Sequence, residues 1–169
     1  GDTKTLFDWR SSERISDQML TGLNDFARHE EWVQSIATTP PPYSNWVIAD
    51  NFTPFGYASI ESSADSTEAT WGFYIGEEEY VGIGGLLIIA FHRYLFDIRL
   101  PNLKILSGVA YQHNSQILKL HRKLGYEEGA VFEHEDKSRR KLVPVSLTRL
   151  KWKKKEKSLP GYPVEFVDG

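Results

Sequence analysis

The sequence has no cysteine among its 169 residues. The absence of cysteine excludes disulfide bonds, thiolate nucleophiles and cysteine-ligated zinc. A strong excess of one charge is also absent, because 20 Lys and Arg against 23 Asp and Glu leave a formal net charge of -3. Such a balance gives no overall attraction to nucleic acid or to acidic membranes. We therefore expect local features, not the overall charge, to determine what the protein binds.

Long hydrophobic runs are absent as well. The longest covers residues 86–91, whereas a membrane-spanning helix needs about 20 residues. No basic segment followed by an apolar stretch opens the chain, so we predict a soluble, cytoplasmic protein. The length suits one domain. We expect that domain over residues 1–152 and a Lys-rich, then Pro/Gly-containing tail over 153–169 that packs loosely or hangs free.

The spacing of apolar residues and of Gly and Pro predicts a mixed α/β order of elements. Helices are expected within residues 12–37 and at 86–96 and 114–124. Strands are expected at 43–50, 55–62, 69–76, 104–110, 129–134 and 142–150, with a further amino-terminal strand at 3–7 left open. The sequence therefore predicts a sheet flanked by helices.

A glycine-rich turn is the sharpest local motif. Gly82, Gly84 and Gly85 lead directly into the apolar helix that begins at Leu86. Glycine lets the backbone approach a ligand closely or adopt positive φ, and a helix N-terminus offers N–H groups to an anion such as pyrophosphate. Tight packing of the helix on a sheet would require the same glycines. The motif lacks the Rossmann and Walker patterns, which disfavours dinucleotides and nucleoside triphosphates.

A second motif follows the strand at 104–110. It runs from Asn114 to Tyr126 and ends in the sequence Lys123-Leu124-Gly125-Tyr126. Together the two motifs resemble the GNAT acetyltransferase superfamily, in which an Arg/Gln-x-x-Gly-x-Gly/Ala turn and an Asn-containing helix hold coenzyme A. The resemblance covers residues 5–152. It implies an α/β (α+β) fold whose mixed, mostly antiparallel sheet is splayed at the acetyl-coenzyme A site.

Further features point to one subgroup of this superfamily. Near the amino terminus they are Trp9-Arg10, Met19 and the pair His29 and Trp32, and the strand at residues 71–75 is another. These are similar to the PseH subgroup, which acetylates the 4-amino group of a UDP-linked 4,6-dideoxy sugar in pseudaminic acid biosynthesis. The resemblance implies acetyl-coenzyme A as cosubstrate, no metal, and a nucleotide-linked amino sugar as small-molecule partner. It implies neither nucleic acid nor membrane as a partner, and it allows a homodimer.

The resemblance also assigns roles to individual residues. Those expected to contact the cosubstrate are Phe73, Tyr74, Ile75, Gly82, Ile83, Gly84, Gly85 and Asn114. Backbone N–H groups near Tyr74 and Ile75 are the candidates for stabilising an oxyanion. Those expected on the acceptor side are Trp9, Arg10, His29 and Trp32, with core packing as the alternative for both tryptophans.

Two departures from the family pattern concern the chemistry. Glu79 replaces the usual Arg or Gln, and we expect it to point to solvent because a carboxylate would repel a phosphate. His121 replaces a tyrosine thought to protonate the leaving thiolate, a role that suits an imidazole, although a packed histidine is the alternative. The strand at 104–110 carries no carboxylate, where some relatives use one. The resemblance places His29 on the acceptor side, as the candidate either to take the amine proton through water or to orient the sugar, and a surface histidine without such a role is the alternative.

Other functions stay open at this point. A protein N-terminal or ribosomal-protein acetyltransferase of the RimJ/RimL type shares the fold and would need a groove for a peptide. A non-catalytic coenzyme A-binding module is favoured by Glu79 and by the missing strand carboxylate. The lysine cluster at 151–157 does not indicate nucleic-acid binding, because Trp152 is its one aromatic residue.

Overall fold

The computed structural model describes residues 2–19, 30, 31, 33–35, 43–134 and 140–166. The strands are β1 Tyr43–Asp50, β2 Thr53–Ser62, β3 Glu68–Ile75, β4 Ile105–Tyr111, β5 Glu127–Glu128, β6 Phe132–Glu133 and β7 Lys141–Thr148. The main α-helices of the described residues are α1 Asp2–Ser11, α2 Glu13–Ser16, α3 Gly84–Tyr94, α4 Ser115–Leu124 and α5 Arg149–Lys155. The strands form one mixed sheet in the order β1-β2-β3-β4-β7-β5, with β6 also paired to β7. The expected fold class is confirmed.

The sheet opens between its two parallel strands. β3 and β4 pair only from Glu68 with Ile105 to Thr70 with Ser107. Beyond this last pair the carboxyl-terminal halves of the strands separate, although β3 stays paired with β2 and β4 with β7. The splay that the family resemblance implies is therefore present and lies between β3 and β4. We call the opening the β3–β4 gap.

The main core lies between the sheet and α3, which is followed by the π-helical turn Leu95–Arg99. Phe91, Leu95 and Phe96 are fully buried, and Trp152 of α5 stacks on Phe96 with 5.7 Å between ring centroids. The helical stretch Glu78–Arg99 is long and apolar enough to cross a membrane by length and composition alone. Its burial in this core is typical of the central helix of a folded domain.

The two ends of the chain differ from expectation. The amino terminus forms α1 where a strand at 3–7 was left open. The carboxyl-terminal segment packs on α3, since Arg93 donates hydrogen bonds to the carbonyls of Leu159 at 2.8 Å and Pro160 at 2.7 Å. The ring of Phe166 also stacks on Tyr94 at 4.5 Å. The expectation of a loose tail is wrong, because its apolar side chains cover the apolar surface of α3.

A proline in β7 explains why the strand expected at 129–134 is shortened to β6 and is preceded by a separate short strand, β5. β5 pairs with Val145 and Ser146, and β6 pairs with residues 141 and 142, so both stop short of Pro144. Proline has no N–H to give a partner strand, which interrupts the pairing there. Gly129 lies opposite Pro144, between β5 and β6, and its N–H donates to the Pro144 carbonyl at 2.8 Å. A Cβ on Gly129 would lie 2.9 Å from Pro144 Cγ.

Candidate active site

Backbone groups of β3 line the β3–β4 gap. Hydrogen-bonding direction alternates along a strand, and the carbonyl of Glu68 and the N–H of Gly76 both bond toward the β2 side. The even-numbered residues of β3 therefore pair with β2, whereas the odd-numbered ones direct their backbone groups into the gap. Phe73 and Ile75 fit the expected backbone contacts to a ligand. Tyr74 does not, because its N–H and C=O face β2.

The glycine turn lies just past the end of β3. A 3₁₀ helix, Glu78–Ile83, leads into α3 at Gly84. A Cβ added at Gly82 or Gly85 would meet none of the described residues within 4 Å, and one at Gly84 would make an ordinary 3.4 Å contact with Ile75. Packing inside the protein therefore does not require glycine at positions 82 and 85. The open space fits a ligand that approaches the backbone at the N-terminus of α3, where an anion is favoured.

Asn114 and Gly125 bracket α4. The Asn114 side-chain oxygen accepts a hydrogen bond from the Ile117 N–H at 3.3 Å, so this residue caps the helix. A contact from Asn114 to a ligand would then come from its amide nitrogen. Gly125 has φ of 99° at the carboxyl end, as predicted. It is the only glycine with positive φ in the described ranges, so the turn at 82–85 uses open space and not positive φ.

His121 lies on the buried side of α4, near the closed end of the gap. There the Trp71 indole reaches from β3 to β4, with Nε1 3.3 Å from where a Cβ on Gly108 would stand. The His121 ring lies edge-on to this indole, 5.8 Å between centroids, and is 3% exposed. Neither of its ring nitrogens has a hydrogen-bond partner among the residues described. Burial lowers the pKa of His121 to about 4, so the imidazole is neutral near pH 7.

A second buried histidine has its hydrogen bonds satisfied. His92 Nδ1 donates to the Ile88 carbonyl at 2.8 Å, and because a carbonyl only accepts, this fixes the neutral tautomer. Nε2 then accepts from the Tyr126 hydroxyl at 2.7 Å. Burial lowers the pKa of His92 to about 3. His92 is thus a core residue with both ring nitrogens bonded, in contrast to His121, whose nitrogens have no partner in the described part of the chain.

These two histidines make stability sensitive to mild acid. Their folded-state pKa values lie below the 6.5 of an unfolded histidine, so between pH 6.5 and about 4 the unfolded chain binds more protons. The free energy of unfolding should therefore fall as pH falls through this window, by up to about 1.4 kcal/mol per pH unit for each group. Urea unfolding between pH 7.5 and 5 should show a shallower decline for His121→Phe than for the exposed control His113→Phe; equal slopes would contradict the assignment.

Trp9 and Arg10 lie inside the contact between α1 and the sheet. Trp9 is 6% exposed and packs on Gly76, where an added Cβ would lie 2.0 Å from Trp9 Cδ2. Its indole N–H donates to Glu77 Oε1 at 2.7 Å. Arg10 is 8% exposed, and burial lowers its pKa. Trp9 therefore takes the packing role that the sequence left open.

Of the remaining predicted site residues, the structure describes Glu79 and Ile83. Glu79 is exposed, as expected. Ile83 is half-buried and packs beside Ile75 and Leu87. His29 and Trp32 lie outside the described residues, so their expected acceptor-side roles stay predictions.

The structure also brings together residues that sequence reasoning missed. A groove of about 320 Å³ opens where β3 and β4 part, lined by Thr70, Ser107, Gly108, Val109, Glu127, Gly129, Pro144, Val145 and Ser146. No residue predicted from the sequence lines it. Its hydroxyl groups come from three strands and become neighbours only through the register of the sheet. A sequence pattern on any one of those strands carries no signal for this groove.

Solved structures with similar folds span most of the chain. A spermidine N-acetyltransferase from Vibrio cholerae, solved with coenzyme A and spermine, has a TM-score of 0.76 at 17% identity, covering 90% of this chain and 92% of its own. The aminoglycoside acetyltransferase AAC(6')-Ib with coenzyme A gives 0.71 at 16% identity, with 90% and 92% coverage. An uncharacterised protein from Bacillus halodurans gives 0.73 at 16% identity, with 93% and 84% coverage. At these identities the likeness shows the fold.

Sequence comparison establishes the family. No curated protein matches the chain in sequence. The family model described as "Acetyltransferase (GNAT) domain" matches residues 1–127, which is most of the chain and includes β3, the gap and the glycine turn. The chain therefore belongs to the GNAT acetyltransferase domain family and is an acetyl-coenzyme A-dependent N-acetyltransferase.

Proposed function

We propose that this enzyme acetylates a primary amine on a small polar molecule, with acetyl-coenzyme A held in the β3–β4 gap and at the glycine turn. The observation that carries the proposal is the position of the gap, which opens beyond the Thr70–Ser107 pair and ends beside the N-terminus of α3. An extended thiol arm and an anionic pyrophosphate need these two features next to each other.

The residues present fit this cosubstrate. Gly82 and Gly85 leave open space for a pyrophosphate at backbone N–H groups. Within the gap, Arg14 donates to the Ile75 carbonyl at 3.0 Å, which ties α2 to the end of β3. Phe73 lies deeper in the gap, and its C=O would accept a hydrogen bond from the thiol arm. We assign the role of oxyanion-stabilising donor to the Phe73 N–H in place of the Tyr74 N–H, which faces β2.

Acetyl-coenzyme A supplies an activated carbonyl carbon: the C–N bond to the amine forms, the C–S bond breaks, the nitrogen loses a proton and the sulfur gains one. His121 lies on the helix side of the closed end of the gap. Because burial disfavours its cationic form, we assign it the role of a neutral hydrogen-bond donor toward the sulfur and not that of a strong acid. The base stays unassigned, since β4 carries no carboxylate.

His121→Phe should lower kcat about 10- to 100-fold, because it removes a hydrogen bond to a group that becomes charged during the reaction. The dissociation constant for acetyl-coenzyme A should change less than about threefold, since the phosphate contacts remain. His121→Tyr keeps a donor and should retain more activity than His121→Phe. An unchanged kcat in His121→Phe would show that His121 only packs, and His113→Phe serves as the exposed control.

We assign the acceptor only to the class of small-molecule amines, whereas the sequence suggested a nucleotide-linked amino sugar. Arg10, which was expected to contact a nucleotide-linked sugar on the acceptor side, is buried between α1 and the sheet. The solved relatives named above are an aminoglycoside and a spermidine acetyltransferase, which supports an unphosphorylated small-molecule amine. The nucleotide-linked amino sugar and the peptide are therefore comparison substrates. The cytoplasmic location and a homodimer stay predictions.

Glu79→Gln should strengthen acetyl-coenzyme A binding about two- to fivefold. An exposed carboxylate beside a phosphate site repels the ligand weakly in water, and the repulsion is screened by salt. The gain should therefore be larger at 20 mM than at 500 mM NaCl in calorimetric titrations. Glu133→Gln, an exposed carboxylate on β6, is the control. Equal affinities of Glu79→Gln and the parent at low salt would show that Glu79 lies too far from the phosphates to matter.

A thiol-release assay tests the proposed function directly. Kanamycin, spermidine, a UDP-linked 4-amino-4,6-dideoxy sugar and a short peptide are offered with acetyl-coenzyme A, and products are identified by mass. Turnover with kanamycin or spermidine above the other two is expected. Turnover with the peptide alone would overturn the small-molecule assignment. Binding of acetyl-coenzyme A without transfer to any amine would support a non-catalytic module instead.

A further inference from the structure

A row of polar side chains crosses the sheet at the closed end of the gap. The register places Thr70 opposite Ser107, Ser107 opposite Ser146, and Ser146 opposite Glu127. Side chains directly opposite one another in a sheet project from the same face. Three hydroxyl groups and a carboxylate therefore line up across β3, β4, β7 and β5.

This row lies on the face of the sheet that points away from α3. The residues that alternate with it, Leu106 on β4 and Val145 and Leu147 on β7, are buried in the main core. Ser107 and Ser146 are only partly buried, and Thr70 and Glu127 are exposed. Because Thr70 and Ser107 also form the last β3–β4 pair, the groove and the gap meet at the same point. A molecule in the groove is thus adjacent to the gap from the side opposite α3.

The charges of the groove restrict what it can hold. Glu127 is the only charged side chain among the described residues that line it. Glu127 pairs with Lys151, with side chains 63% and 40% exposed. Such an exposed pair contributes little, so an ammonium group of a ligand can replace the lysine at low cost. A diphosphate would meet a carboxylate and no cation in this lining.

We propose that the groove binds the body of the acceptor and selects an unphosphorylated amine that carries hydroxyl groups, such as an amino sugar or aminocyclitol. The proposal rests on the acetyltransferase function proposed above. Ser and Thr hydroxyls both donate and accept hydrogen bonds, which matches the hydroxyls of a sugar ring. Glu127 matches an ammonium group.

Calorimetric titration without acetyl-coenzyme A tests the groove apart from turnover. The probes are kanamycin, spermidine and the UDP-linked amino sugar, and the variants are the double change Ser107→Val with Ser146→Val, and Glu127→Gln. Kanamycin should bind more tightly than the other two probes. The double variant should weaken its binding about tenfold and Glu127→Gln about threefold. Thr53→Val and Glu133→Gln, on exposed positions of β2 and β6, should change it less than twofold, and thermal unfolding confirms that each variant is folded.

Other outcomes of these titrations would contradict the proposal that the groove binds the acceptor. If kanamycin fails to bind, binds no better than spermidine, or binds the variants as it binds the parent, the inference is wrong. Tighter binding of the UDP-linked sugar would restore the nucleotide-sugar assignment. In all variants the affinity for acetyl-coenzyme A should equal that of the parent. If the groove variants acetylate kanamycin as the parent does, the inference is wrong but the proposed function stands. If the parent protein does not bind acetyl-coenzyme A, the proposed function itself is wrong.

Discussion

Gly82→Val and Gly85→Val are each expected to weaken acetyl-coenzyme A binding about 10- to 100-fold and to leave the melting temperature within about 2 °C of the parent. Binding and stability should respond differently because a Cβ at either position meets nothing within 4 Å in the described part of the chain. A side chain there occupies only the space that the pyrophosphate needs next to the backbone. Calorimetric titration and differential scanning calorimetry measure the two quantities.

Gly161→Val is the matched control for these variants. Gly161 also has open space where a Cβ would stand, but it lies in the carboxyl-terminal segment. It should therefore change neither binding nor stability. If Gly82→Val or Gly85→Val lowered the melting temperature and kept the affinity for acetyl-coenzyme A, the glycines would serve helix packing, and the phosphate-binding assignment would be wrong.

Gly76→Ala should destabilise the protein by about 3 kcal/mol and lower its melting temperature by roughly 6–12 °C. The added Cβ would lie 2.0 Å from Trp9 Cδ2. The indole is rigid and buried, so α1 must shift away from the sheet. That shift strains the hydrogen bond from Trp9 to Glu77, which ties α1 to the segment just before the glycine turn. Chemical denaturation measures the loss.

A double-mutant cycle shows whether the clash is the cause. Trp9→Leu removes the ring that the new methyl group meets, so Gly76→Ala should cost at least about 1 kcal/mol less in that background than in the parent. Gly161→Ala, where a Cβ has open space, should cost almost nothing. Additive losses from Trp9→Leu and Gly76→Ala would mean that the glycine is needed for another reason.

The parts of the fold that the sequence predicted depend on local patterns. The apolar run that begins at Leu86 indicated the buried helix, and Gly125 marked the end of α4. The position of the gap followed from the family resemblance. The nature of the glycine turn was predicted only in part, because a sequence cannot distinguish open space at Gly82 from tight packing.

The parts that the sequence missed depend on contacts between distant segments. The sequence left Trp9 open between the acceptor side and core packing, and the structure shows that its ring packs on Gly76. Nothing near Trp9 in the chain indicates this contact. The alignment of Ser107 with Ser146 likewise requires the β4–β7 register. His121 looked like a proton donor until its burial, which disfavours the charged form, was known.

An amide NMR titration of the uniformly ¹⁵N-labelled protein with acetyl-coenzyme A shows where the cosubstrate binds. The largest shifts are expected at Gly82, Ile83, Gly84 and Gly85 and at Phe73, with smaller shifts at Ser146 on the acceptor side. Shifts confined to other surfaces, or none at millimolar acetyl-coenzyme A, would contradict the placement of the cosubstrate in the gap between β3 and β4.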